Sequence, residues 1–203
     1  MSEETFGSAI TRRHAIARVS ALLGGVALVG GSSLLSGCAR ESVSVNAPIG
    51  TFSVQDQALL AEVADTILPE TATPGAKAAG VGPFMAVMVT DCYTPNDQEI
   101  FAQGMTAINE GCRTMHNTTF MEATPEQRTA LLMALDAEQR AYMATRGPDD
   151  PTHYFRMIRE LTMLGYFTSE IGYRQAMRYV ESPGRYDPCL PHVTGEKTWA
   201  PHA

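Results

Sequence analysis

The sequence predicts a small all-α domain of about six helices with an extended C-terminal tail, preceded by an export signal. Three observations carry this prediction. From Ser53 onward, apolar residues recur at spacings of three and four. Capping oxygens stand directly before prolines at the expected helix starts. No stretch alternates as a half-buried strand would. The 203 residues suit one domain with appendages and leave enough chain for a core. With 15 basic against 22 acidic residues and a net charge of −7, the chain lacks the basic excess of a general nucleic-acid binder. A mean hydropathy of −0.10 excludes a polytopic membrane protein.

Residues 1–37 read as a targeting segment. Arg12, Arg13 and Arg18 form a basic region, followed by an apolar stretch from Ala21 to Leu35 that Gly24, Gly25, Gly30 and Gly31 interrupt. An uncleaved anchor helix is the alternative, but a spanning helix needs about 20 apolar residues. Thr11-Arg12-Arg13 resembles the twin-arginine export motif, with Ala15, Ile16 and Ala17 filling its usual bulky and basic positions imperfectly. Leu35-Ser36-Gly37-Cys38 looks like a bacterial lipobox, which makes Cys38 the expected lipidated N-terminus of the mature chain. Removing Arg12, Arg13 and Arg18 together with Glu3 and Glu4 leaves 12 basic and 20 acidic residues, a net −8. Such a domain is not drawn to anionic lipid by its own charge, so the lipid must anchor it. A diacylglyceryl group supplies the two chains that stable anchoring requires.

Residues 38–52 are polar and small and read as a tether, with Pro48 and Gly50. The helical domain covers 53–181. Ser53 with Asp56 starts the first helix, whose face carries Leu60, Val63, Ala64, Ile67 and Leu68 before Pro69 stops it. Pro74-Gly75 is a turn dipeptide, the glycine expected to supply positive φ. Pro83 to Val89 is a second helix. Thr94-Pro95, Thr124-Pro125 and Asp150-Pro151 open three more, with Asp97 and Gln127 completing box-like patterns. Their apolar stripes are Phe101, Met105, Ile108 and Cys112, then Leu131, Leu132, Leu135 and Tyr142, then Tyr154, Met157, Ile158, Leu161 and Leu164. A last helix runs from Thr168 to Val180. Residues 182–203, with four prolines and two glycines, form the extended tail.

No chemistry stands out. There is no phosphate loop, haem-attachment motif, zinc-protease motif or nucleophile elbow. His116, His153, His192 and His202 are widely spaced, and His153 in a first helical turn reads as exposed and structural. Met85, Met88, Met105, Met133, Met157 and Met163 fall on helical faces and read as core. Glu160 and Glu170, near Tyr166, are either buried carboxylates or salt-bridge partners. Catalytic, cofactor-binding and metal-binding residues are therefore expected to be none. Of the thiols left beside Cys38, Cys92 and Cys112 lie at opposite ends of an expected helix about 25 Å long. A disulfide needs Cα atoms within about 7 Å, so that pair is disfavoured. Cys189 in the tail could reach either one or another chain, and Cys112 is the natural buried thiol. One tail-to-core disulfide and a link between subunits both stay open.

The segment Ile67-Leu68-Pro69-Glu70-Thr71-Ala72-Thr73-Pro74-Gly75-Ala76-Lys77-Ala78-Ala79-Gly80-Val81 resembles the signature of the gluconate 2-dehydrogenase subunit 3 family. The run from Tyr154-Phe155 through Arg159-Glu160-Leu161-Thr162, then Gly165 to Gly172, fits that family's C-terminal half, and Pro183-Gly184-Arg185-Tyr186 continues it. The resemblance implies a small accessory subunit of a membrane-bound dehydrogenase acting on sugars, sugar acids or polyols. It implies no cofactor in this chain, FAD in a glucose-methanol-choline-type flavoprotein partner, and haem c in a multihaem cytochrome. Twin-arginine export moves folded cargo, which suits a flavoprotein loaded before crossing. The chain is then expected to escort a signal-less partner to the bacterial periplasm and tether it through Cys38. Partner contacts are expected at Pro74, Gly75, Tyr166, Phe167, Tyr173 and Tyr186, with Tyr179 as a further aromatic anchor. The alternative is that these tyrosines merely cover the last helices. The alternative function is a stand-alone periplasmic lipoprotein with a helical ligand-binding or scaffolding domain.

Overall fold

A computed structural model describes residues 47–182, 184, 189–191 and 193–200. The expectations placed on Arg12, Arg13, Cys38, Pro183, Arg185, Tyr186, His192 and His202 lie outside the described residues. The described chain is all-helical. Five α-helices, α1 (Val54–Ile67), α2 (Val81–Cys92), α3 (Pro95–His116), α4 (Pro125–Thr145) and α5 (Tyr154–Thr168), are followed by a π-helical turn, Gly172–Ala176. Among the described residues there is no sheet, and only two isolated bridges, Ile49 with Phe52 and Arg178 with Trp199. No described helix is long and apolar enough to cross a membrane.

Local chemistry sets the helix starts. Ser53 and Asp56 cap α1 reciprocally, with Asp56 N donating to Ser53 Oγ (3.1 Å) and Ser53 N donating to Asp56 Oδ2 (2.9 Å). Thr124 and Gln127 do the same for α4. At α3, Thr94 Oγ1 accepts from Asp97 N (3.3 Å) and donates to Asp97 Oδ2 (2.7 Å), and only this half of the expected box forms. The expected start at Asp150-Pro151 is displaced. The Asp150 carboxylate accepts from Gly147 N (2.9 Å), which closes the preceding loop, and α5 begins only at Tyr154. His153 is its cap, with Nδ1 accepting from Phe155 N (3.2 Å).

The core gathers Leu60 and Val63 of α1, Met85 and Val89 of α2, Phe101 and Ile108 of α3, Leu131 of α4, and Phe155 and Ile158 of α5. Phe120, in the α3–α4 loop, is fully buried among them. That loop is fixed by Asn109 Oδ1, which accepts from Phe120 N (3.2 Å). Helices α1 and α2 make the most extensive pairing. They approach at Gly82, where a β-carbon would fall 2.8 Å from that of Ala61 and against the Gln57 carbonyl.

Several expectations are corrected. Ala47 and Phe52, in the segment expected to be tether, are held against the helices. Gln57 Nε2 donates to Ala47 O (2.9 Å), and Phe52 is buried edge-on against Phe101 (6.0 Å). Gly75 does not have positive φ; the left-handed residue of that loop is Gly80 (φ 73°), which caps α2. Gly75 is required instead by space, because a β-carbon there would meet the Asp65 carboxylate and lie 2.8 Å from Glu70 N. Leu164 (46% exposed), Met133 (69%) and Met163 (41%) face outward rather than into the core. Gly165 and Tyr166 take the buried α5 positions beyond Leu161. The last helix ends at Ala176, not Val180. A β-carbon at Gly172 would meet the Tyr166 carbonyl, and the tight turn there widens into π geometry. At Met177 the backbone leaves helical geometry and becomes extended. Arg178 N donates to Thr198 O (2.9 Å) and Ala200 N to Arg178 O (2.8 Å), so this part of the tail returns to the domain.

Candidate docking groove

The sequence-predicted residues do not converge on one site. Among the described residues, no group of three or more His, Cys, Asp or Glu side chains could hold a metal ion. His153 is not the exposed residue expected. Its side chain is 10% exposed and stacks on Tyr154 (4.6 Å), with Nε2 3.5 Å from Glu138. His116 is half-buried at the end of α3, remote in sequence from those partners. Glu160 and Glu170 are exposed salt-bridge partners of Arg156 (2.8 Å) and Arg174 (3.7 Å). Cys92 is an exposed thiol at the end of α2 and Cys112 a buried one near the end of α3. Helix α3 runs unbroken between them, as the length argument required. Burial pushes the Cys112 thiol pKa up, with Arg128 opposing. Cys189 is exposed in the C-terminal segment.

Two of the expected contact residues, Pro74 and Tyr166, meet each other. Tyr166 is buried, and its hydroxyl donates to Pro74 O (2.9 Å). Phe167 lies edge-on to it (5.1 Å). Gly75 and Ala76 are buried beneath this bond, and Ala76 N donates to Leu68 O (2.9 Å). The proline-glycine segment therefore packs into its own domain at Gly75 and Ala76, while Pro69, Glu70, Thr71 and Ala72 stay exposed. Tyr173 is half-buried against the exposed Tyr179 (5.6 Å).

Sequence reasoning missed an ion cluster that fixes α4 against α1. Glu62 accepts from Lys77 Nζ (2.7 Å) and pairs closely with Arg128. Arg128 also donates through Nε to Phe120 O (2.9 Å) and through Nη2 to Met121 O (2.7 Å), with its guanidinium over the Phe120 ring. Burial alone would raise the Glu62 pKa, but Lys77 and Arg128 together hold it below the usual carboxylate range. Glu62 stands 15 residues from Lys77 and 66 from Arg128 in sequence, beyond the reach of helical spacing.

Beside this cluster, α1, α4 and α5 leave an open groove of about 420 Å3. Ile67, Leu132 and Phe155 make its apolar base, and the exposed Met133 stands at its edge. Asp136, Arg140 and Arg159 form its polar end. Asp136 accepts from Gln139 Nε2 (3.0 Å), pairs closely with Arg140, and lies 3.5 Å from Arg159 Nη1. An apolar base ending in guanidinium donors suits recognition of an amphipathic partner rather than proton transfer.

The family model for gluconate 2-dehydrogenase subunit 3 matches residues 54–184. The chain belongs to the gluconate 2-dehydrogenase subunit 3 family. The match starts at the first residue of α1 and takes in all five helices and the π-helical turn. It includes both motifs that Tyr166 and Pro74 join. Comparison with curated proteins and with solved structures finds no match. Membership in the subunit 3 family supports a non-catalytic accessory role in a dehydrogenase complex. The groove and the Glu62–Arg128 cluster both lie within the family segment.

Proposed function

We infer that this chain is the non-catalytic small subunit of a flavin-dependent dehydrogenase of sugars, sugar acids or polyols. It escorts the export of a signal-less flavoprotein of the glucose-methanol-choline type, assembles with it, and tethers it to a membrane of the bacterial periplasm. FAD belongs to that partner and haem c to a multihaem cytochrome that accepts its electrons. Family membership over residues 54–184 is the observation that carries the reading. The signal-like segment supports the escort, with Arg12 and Arg13 directing export and the Cys38 lipid anchoring the product. The thiols of Cys92 and Cys189 are the exposed ones from which a link to the partner would form. The contact elements of this reading are the loop bearing Pro74 and Gly75 and the segment bearing Phe167, Tyr173 and Tyr186. Tyr166 serves it from inside, by holding the loop in shape.

Deletion of this gene, followed by locating the flavoprotein and its dehydrogenase activity, tests the escort. Activity is expected to be lost from the periplasm with the flavoprotein retained in the cytoplasm, and normal periplasmic activity would refute it. Replacing Arg12 and Arg13 by lysine should block export if the twin-arginine route is used. Fatty-acid labelling should mark the native chain but not Cys38→Ala.

A further inference from the structure

The groove between α1, α4 and α5 combines two properties. Its apolar base is open to solvent, and its polar end carries more positive than negative charge. Asp136 is the single carboxylate among its lining residues, and it is shared between Arg140 and Arg159. That leaves one net positive charge and unused guanidinium donors, in a chain whose overall charge is −7. The hydroxyls on the lining are spent internally, Thr66 on Glu62 O and Thr129 on Pro125 O. The outward-facing donors are therefore guanidiniums, 68% exposed at Arg140 and 48% at Arg159.

The shape argues for a polypeptide. Beyond Met133 the groove continues as a shallow depression beside Thr129, Ala130, Glu126 and Pro125. From Arg140 to Pro125 this track follows α4 for about 22 Å, long enough for about seven extended residues. Its far end carries the negative Glu126 and its near end the two arginines, with apolar surface between. The exposed Ala130 and Ala137 on the track's lining allow a main chain to approach α4 closely. An extended segment with an acidic residue at one end and apolar residues behind it complements this track in charge and length.

We propose that this groove takes an extended acidic–apolar segment of the dehydrogenase's catalytic subunit, its carboxylate bound between Arg140 and Arg159 and its apolar side chains on Ile67, Leu132 and Phe155. The proposal rests on the accessory-subunit reading. The full chain and a glucose-methanol-choline-type flavoprotein of the same organism are co-expressed and purified, and their affinity is compared among variants. Arg140→Glu with Arg159→Glu, and separately Met133→Asp, each alter exposed side chains. Circular dichroism should match the wild type and show that each variant folds, while a lower melting temperature in the arginine variant would report the lost pairing with Asp136. Both variants should bind the flavoprotein at least tenfold more weakly. Added salt should weaken the wild-type complex but spare the residual binding of the arginine variant. Val87→Asp, on the exposed side of α2, should bind normally. Unchanged affinity in both groove variants, or an equal loss in Val87→Asp, overturns the site while leaving the accessory role standing. If the wild-type chain does not associate with the flavoprotein, the accessory reading fails and the groove's occupant with it. If instead the groove variants alter only the chain's own oligomeric state, a second copy is the occupant and the proposal is overturned.

Discussion

Gly82→Ala tests how closely α1 and α2 are held. The new β-carbon would fall 2.8 Å from both the Ala61 β-carbon and the Ala61 nitrogen, and would press on the Gln57 carbonyl. Two of these obstacles are backbone atoms of α1, so no rotamer change removes the clash, and the helices must part by several tenths of an ångström. Overpacking of this kind costs about 1–3 kcal/mol. The substitution also gains about 1 kcal/mol, because alanine is the better helix former. The overpacking wins, since Leu60, Val63, Val81 and Met85 around the crossing are fully buried and must shift together. A net loss of up to about 2 kcal/mol is expected, which lowers the melting temperature by up to about 8 °C. Gly111→Ala supplies the contrast. Its β-carbon would meet only the flexible end of Leu131, at 3.0 Å, so the propensity gain is nearly uncancelled and the melting temperature should stay level or rise. Thermal unfolding followed by circular dichroism measures both. A Gly82→Ala protein as stable as the Gly111→Ala protein would refute the close-contact argument.

Other consequences can be checked on the same purified domain. The Glu62 pKa is lowered in the fold, so its stabilising contribution is complete above the unfolded carboxylate pKa and is lost as pH falls through the folded value. Glu62→Ala should cost about 2 kcal/mol at neutral pH and flatten the acid limb of stability against pH, in denaturant titrations at several pH values. Cys92 should react with a thiol reagent in the native protein, whereas Cys112, buried and with its thiol pKa raised, should react only on unfolding. Equal native labelling of the two, read by mass spectrometry, would contradict their placement. Arg178 lies 4.4 Å from the Trp199 ring and 3.3 Å from Glu196. Trp199→Ala should remove about 0.5–1 kcal/mol of local attachment. Limited proteolysis between residues 179 and 197 should accelerate while the melting temperature of the helical core barely moves.

The parts of the fold legible in the sequence are those set by neighbouring residues. Ser53, Thr94 and Thr124 act on backbone groups three residues away, and each opens the helix expected of it. The pattern at Asp150-Pro151 is equally local, but Arg146 Nε donates to Asp150 O and Gly147 N to its carboxylate. That competing loop claims Asp150, and a histidine ring does the capping instead. Periodicity located the faces of α4 and α5 but not their edges. Whether Met133, Met163 or Leu164 is covered depends on how far the neighbouring helix extends, which spacing within one helix does not encode. The groove was illegible for the same reason. Ile67, Leu132 and Phe155 come from three helices, and each reads as ordinary core when taken alone. Arg140 and Arg159 were absent from the candidates because one shared carboxylate joins them only in three dimensions.

The hydrogen bond from Tyr166 to Pro74 spans 92 residues of chain. During synthesis, the loop after α1 waits for its fastening until α5 has been made, and α5 is the last long helix. A fragment that ends before Tyr166 lacks that bond and keeps only the loop's local ones, such as Ala76 N to Leu68 O and Lys77 to Glu62. Completion of the domain is thereby coupled to near-completion of translation.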